Sequence, residues 1–213
     1  AADEIVIEKS EKDETKDLDM TEIIKTYLKR TYQKQGNVYL GLVHRLDRRV
    51  GGVMVFAKTS KAASRLSEQI RQKTFKKTYL VATLSGLSQK GTIKLRLEKD
   101  SKKRISKVSS YGKEAILQYE RISQEGRITY AYVYLETGRY QQIRASFAHI
   151  NAPLINDHKY DETISSTFED IGLWSYSLSF MHPTTKENLS FKLAPSGAIW
   201  KGLKIEDLDK QMH

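Results

Sequence analysis

Residues 41–58 read GLVHRLDRRVGGVMVFAK and hold the densest chemistry in the chain. An apolar run from Val38 to Val43 leads in, and a β-branched run from Val53 to Ala57 leads out. Between them stand His44-Arg45-Leu46-Asp47, then Arg48, Arg49 and the pair Gly51-Gly52. This pattern predicts a charged turn between two strands, with one carboxylate among three guanidiniums. A solvated ion pair in such a turn contributes under about 1 kcal/mol. The alternative is a carboxylate held on a rigid support beside an anionic substrate.

Outward from this centre the periodicity alternates between helix and strand. Upstream, Ile5-Val6-Ile7 reads as a short strand before the charged run from Glu8 to Asp17. Asp19-Met20-Thr21-Glu22 has the form of a capping box. Ile23, Ile24, Tyr27 and Leu28 then share a helical face, with the helix ending near Tyr32. Downstream, Thr59 or Ser60 caps a helix with Ala63, Leu66 and Ile70 on its inner side. A strand from Thr78 to Leu84 follows the basic residues Lys73, Lys76 and Lys77. Strict alternation over Ile93-Lys94-Leu95-Arg96-Leu97 marks a half-buried strand.

The cations Arg96, Lys99, Lys102, Lys103, Arg104 and Lys107 crowd the next segment. They suit either a solvated hairpin or a contact with an RNA backbone. Strands are expected at about Ala115–Ile122 and Thr129–Leu135. Tyr130, Tyr132 and Tyr134 alternate on the latter, and packing within the sheet is favoured over base stacking. Arg139–Ile150 reads as a helix with Ile143, Phe147 and Ile150 inward, which puts Arg144 at the border of the buried face. Leu173–Phe180 and Leu189–Leu193 complete the strands. Many antiparallel-type strands with a few helices make the fold class α+β, a mixed or antiparallel sheet with helices packed on it. No linker divides the chain, so 1–213 reads as a single domain.

Lys and Arg number 36 against 26 Asp and Glu, a net charge of +10, which suits a polyanionic partner. There is no cysteine, and the five histidines lack metal-binding spacing, so no metal is expected. No apolar run is long enough to span a bilayer, and no signal-peptide core is seen in AADEIVIEKS, so a cytoplasmic location is expected.

Three ordered blocks carry a resemblance: HRLD with its Gly spacer and apolar run ending in Ala57-Lys58, Lys77-Thr78-Tyr79-Leu80, and Thr137-Gly138-Arg139-Tyr140-Gln141-Gln142-Ile143-Arg144. Together they resemble the RluA-type family of RNA pseudouridine synthases, from about Val38 to about Pro195. The resemblance implies a central sheet crossed by a basic cleft, with Asp47 as nucleophile. It further implies Tyr79 as a base-stacking and proton-transfer residue, Arg144 as the partner of Asp47, and Arg45 as the cation that replaces a base flipped from the stack. His44, Lys77, Arg139 and Gln142 are the other candidate RNA contacts. A direct ion pair between Arg144 and Asp47 is expected. The partner would be RNA, ribosomal or transfer, with no cofactor and the chain acting as a monomer.

The chain departs from the family pattern at several points. Lys9 is followed by Ser10-Glu11 where the family has Lys-Pro. Val50-Gly51-Gly52 replaces Thr-Ser-Gly, Gln141 replaces His, and Asn156 replaces a Gly in a Gly-Asp turn ending here in Tyr160. Two other readings exist. One is an RNA-binding or ribosome-assembly protein with little catalysis. The other is a two-carboxylate glycosidase, which needs a second placed acid. Glu136 and Asp157 are available, and nothing in the sequence ties either to Asp47.

Overall fold

Helix α1 (Met20–Thr31) is followed by three short strands, β1 (Gly41–Leu42), β2 (Gly51–Gly52) and β3 (Phe56–Ala57). Next come α2 (Ser60–Arg71), β4 (Lys76–Thr83), β5 (Lys90–Asp100), β6 (Ile105–Val108), β7 (Lys113–Glu125) and β8 (Ile128–Leu135). Helix α3 (Gln142–His149), β9 (Leu173–Met181) and β10 (Asn188–Lys192) complete the series. The computed structural model describes residues 20–165, 169–204, 206 and 208. The expected Ile5–Ile7 strand, the charged run after it, the Lys9-Ser10-Glu11 departure and the Asp19 cap lie outside the described residues.

The chain forms two compact units. The first comprises 1–45, 53–76 and 178–191. In α1, Ile24 and Leu28 are buried, whereas Ile23 and Tyr27 are exposed, so the inner face is half as wide as the periodicity suggested. The Thr59 hydroxyl accepts the Ala62 N–H at 3.1 Å and caps α2. Strands β1 and β3 pair antiparallel, Gly41 opposite Ala57. A Cβ on Gly41 would lie 2.8 Å from the Ala63 methyl, so the missing side chain is what lets α2 pack on β1. Phe75 stacks on Phe180 at 4.9 Å, and Phe180 meets Phe191 at 5.8 Å, giving this unit an aromatic core.

The expected strands Val38–Val43 and Val53–Ala57 shrink to two-residue pieces. The two pieces still pair with each other, as β1 with β3, but a long connection joins them where a tight turn was expected. Gly51-Gly52 instead pairs in parallel with Trp174-Ser175 of β9, within the second unit. Gly52 has φ +122, and a Cβ there would lie 2.3 Å from the Ser175 carbonyl oxygen. Only glycine fits.

The second unit comprises 46–52, 77–177 and 192–213. Its sheet runs β9-β4-β8-β7-β5-β6, with β2 added to β9. Alternation along β4 sends Tyr79 and Val81 to one face and Leu80 and Ala82 to the other, and all four are buried. On the first face Tyr79 and Val81 join Leu117, Val133, Phe147 and Leu154, with α3 as cover. On the second, Leu80 packs with Tyr130, Tyr132, Trp174, Tyr176, Trp200 and Leu208. Tyr130 donates its hydroxyl to the Ile199 carbonyl at 2.8 Å and Tyr132 donates to that of Leu208, so these two tyrosines are packing residues, as expected. Strand β6 was not foreseen. It follows a tight turn in which the Lys102 and Lys103 N–H groups both donate to Asp100 Oδ1 at 3.0 Å, and Arg104 takes a left-handed φ of +53.

Candidate active site

Asp47 begins a β-turn: its carbonyl accepts the Val50 N–H at 3.0 Å. Val50 is buried and Leu46 packs against the same core, so apolar anchors flank the turn on both sides. Ile171 donates its N–H to the Arg49 carbonyl at 3.0 Å, a further tether. The Asp47 side chain is thus projected from a fixed support and keeps 30 % of its surface exposed.

Arg144 on α3 meets it. Nη1 donates to Asp47 Oδ2 at 2.8 Å. Nε and Nη2 donate to the two oxygens of Asp157 at 2.7 and 2.6 Å, a fork-to-fork pair. Arg144 is 3 % exposed and Asp157 is wholly buried. Burial opposes the guanidinium's charge, but the hydrogen bonds and charges of Asp157, and then of Asp47, outweigh it and raise its pKa. One cation therefore links two carboxylates, of which only Asp47 reaches solvent.

The expected ion pair between Arg144 and Asp47 is present. The expected border position is not: Arg144 lies inside. Its helix starts at Gln142 rather than Arg139, because Gln141 adopts φ +47 and breaks the helical path before it. Asp157, which nothing in the sequence ties to Asp47, is joined to it through Arg144. Its signal was the turn at Asn156-Asp157, where Asn156 has φ +61, a conformation that asparagine shares with the glycine it replaces. The Asn156 amide donates to Glu169 Oε2 and the Asp170 carbonyl, each at 3.0 Å, and fixes the turn.

Two tyrosines flank the pair. Tyr79 is buried, and burial followed by the Asp47 charge pushes its phenol up to about 12. At neutral pH it is a proton donor rather than a base. The Tyr160 ring lies 5.2 Å from the Arg144 guanidinium carbon. Its hydroxyl accepts the Ser106 N–H at 2.7 Å and donates to Gln141 Oε1 at 2.9 Å, and burial pushes it to about 12. Gln141, the residue standing in place of His, holds this tyrosine. Neither Tyr160 nor its tie to β6 was legible from spacing.

Arg49 donates from Nη2 to His158 Nδ1 at 2.8 Å, which requires the proton on the other ring nitrogen, and from Nη1 to the Glu169 carbonyl at 3.2 Å. Burial, then Arg49, lowers the His158 pKa. The remaining candidates are dispersed. His44, in the first unit, is buried and accepts the Val55 N–H at Nε2, 3.1 Å. Arg45 is exposed two residues before Asp47. Lys77 is half-buried at the start of β4, and burial lowers its pKa. Arg139 is exposed, with Nε on the Glu114 carbonyl at 2.8 Å. Gln142 is buried. It donates to the Ile116 carbonyl at 3.0 Å and accepts from the Thr137 hydroxyl at 2.9 Å and the Arg139 N–H at 3.0 Å.

A carboxylate with a bidentate-buried guanidinium behind it and a protonated phenol beside it is suited to attack on an electron-poor carbon. Comparisons with known proteins agree in class. Residues 3–149 match the RNA pseudouridylate synthase family, and the chain belongs to it. Ribosomal large subunit pseudouridine synthase C of Buchnera aphidicola is 36 % identical over 177 residues, 78 % of this chain and 56 % of that protein. Ribosomal large subunit pseudouridine synthase D of Neisseria meningitidis serogroup B is 31 % identical, covering 79 % of this chain and 49 % of that one. The chain thus spans about half the length of these curated relatives. The solved structure of human RNA Pseudouridylate Synthase Domain Containing 4 overlays with a TM-score of 0.69 at 20 % identity, covering 83 % of this chain and 79 % of that chain, a likeness of fold. The α+β class is the fold of that family.

Proposed function

We propose that this chain is an RNA pseudouridine synthase in which Asp47 is the nucleophile. The carrying observation is the Asp157–Arg144–Asp47 arrangement. Arg144 holds Oδ2 of Asp47, while among the described residues Oδ1 takes no hydrogen bond and is available to substrate. The reaction breaks the uridine N1–C1′ bond, turns the uracil and rejoins it through C5, with the C5 proton lost and one gained at N1. Oδ1 attacks C1′ or stabilises positive charge there. Tyr79 supplies a phenol against the base and donates or relays a proton. Arg45 fills the gap left by the flipped base, and Lys77 and Arg139 add cations for the backbone. His44 and Gln142, buried and bonded within the protein, serve by positioning the motif loops.

The rearrangement is internal to the nucleotide and redox-neutral, so its balance calls for no cofactor. The relatives named above act on the ribosomal large subunit, which favours ribosomal over transfer RNA as substrate. The two units are taken to serve as one catalytic domain, active as a monomer in the cytoplasm. The test is a map of pseudouridines in total RNA from cells carrying the wild-type chain or Asp47→Asn. Loss of one or a few sites in the variant is the expected result. An unchanged map overturns the reading.

A further inference from the structure

Strands β5, β6 and β7 of the second unit leave a shallow concavity of about 290 Å³ lined by Lys99, Tyr111, Gly112, Lys113, Arg139 and Tyr140, with Glu98 the one carboxylate. Its volume sits at the lower end of the range for small-ligand sites. Ser109 builds the turn beside it. Its N–H donates to the Arg96 carbonyl at 3.0 Å, its carbonyl accepts the Gly112 N–H at 3.0 Å, and its hydroxyl accepts the Tyr111 N–H at 3.3 Å. A Cβ on Gly112 would lie 2.5 Å from the backbone of Leu97, so the turn lies directly on β5 and lifts Tyr111 outward. Tyr111 is 91 % exposed. One exposed ring means little alone, but this one is held out by a bonded turn beside a concavity that also holds Lys99, Lys113 and Arg139, the pairing of aromatic face and cations that single-stranded nucleic acid binds.

Tyr140, in the same concavity, already has the Lys99 ammonium 4.9 Å over its ring. That leaves Tyr111 as the open stacking face and the three cations as its electrostatic frame. The concavity is also joined to the catalytic residues. Ser106 of β6 donates its hydroxyl to the Tyr140 carbonyl and its N–H to Tyr160, the tyrosine beneath Arg144.

We propose that this surface is a subsite for an unpaired nucleotide of the RNA strand near the target uridine, with the base stacked on Tyr111 and its phosphates on Lys99, Lys113 and Arg139. The assignment rests on the pseudouridine synthase reading for its substrate class. Three cations against one carboxylate select a polyanion, and an open phenol ring selects a base without regard to its identity. The subsite therefore contributes affinity and placement rather than sequence choice.

The test is fluorescence anisotropy with a labelled oligouridylate of about ten nucleotides. Binding is measured in the Asp47→Asn background, so the result does not depend on isomerisation. Tyr111→Ala should weaken binding about 5- to 150-fold, the range for loss of one stacked base. Tyr111→Phe, which keeps the ring, should bind within about twofold of its parent. Tyr27→Ala removes an exposed tyrosine on α1 and serves as the control, with unchanged affinity expected. Equal affinity for parent and Tyr111→Ala, or equal losses in Tyr111→Ala and Tyr27→Ala, would overturn the proposal. The first outcome would leave the surface to a protein partner. Failure of wild type to form pseudouridine in any RNA would instead overturn the enzymatic reading, and it is read separately.

Discussion

Arg144 carries two loads: it neutralises a buried carboxylate and aims an exposed one. Arg144→Lys keeps the charge but cannot donate along three directions in one plane. It should bind RNA nearly as well as wild type yet turn over about 100-fold more slowly, the scale of loss for a misplaced reacting group. Single-turnover kinetics at saturating RNA would check this, and a fully active lysine variant would remove Arg144 from the mechanism. Asp157→Asn addresses the other load. It preserves shape but leaves the buried guanidinium with Asp47 alone. A loss of about 3 kcal/mol is expected by urea denaturation, the low end for breaking a buried pair because one carboxylate remains. At this scale the sequence was informative about the pairing of Arg144 with Asp47, since both stand in motifs with fixed neighbours. Asp157 and Tyr160 were opaque. Their partners lie in other segments, and the turn at Asn156-Asp157, though a local signal, does not say what the aspartate meets.

Among the elements, the strands with strict alternation or apolar runs were legible within a few residues, as β4, β5, β7, β8 and β9 show. The pieces around the central motif were not. A two-residue strand such as β2 has no periodicity to read, and its direction was set by β9, more than a hundred residues later. Gly51-Gly52 explains why this particular departure from Thr-Ser-Gly is tolerated: a Cβ on Gly51 would sit 2.2 Å from the Trp174 ring. Trp174 thus occupies the space that a side chain at 51 would need. Gly51→Ser should destabilise the fold, by about 1–3 kcal/mol as overpacked sites do. Combining it with Trp174→Leu should cost less than the sum of the single changes. Thermal melts of the four proteins complete the cycle, and strict additivity would show that the two positions do not compete for space.

For the molecule as a whole, charge decides behaviour with salt and pH. Neutralising Lys102, Lys103 and Arg104 at the β5–β6 turn should lower the salt slope of RNA binding by up to about 0.7 per lost phosphate contact. An unchanged slope would make that turn a solvated hairpin. Shifted groups at either end of the pH scale make stability depend on pH. The His158 pKa is lowered, so on acidification the unfolded chain takes up a proton that the folded chain refuses, and stability falls as pH drops below the ordinary histidine value of 6.5. Tyr79 and Tyr160 have raised pKa values. Their contribution is intact below 10.0 and is lost as pH rises from there towards about 12, because the unfolded chain releases protons first. His158→Gln should flatten the acid limb of a stability-against-pH curve and leave the alkaline limb as it was.

Strand β4 has neighbours on both edges and side chains buried on both faces, with Leu80, Val81 and Ala82 wholly inaccessible. Its central amides can exchange with deuterated water only through opening of the entire second unit, whereas the turn at Asp47 can open locally. Tyr79 is therefore expected on the slowest-exchanging segment and Asp47 on a faster one. Substrate should slow exchange at residues 47–50 and leave 80–82 unaltered.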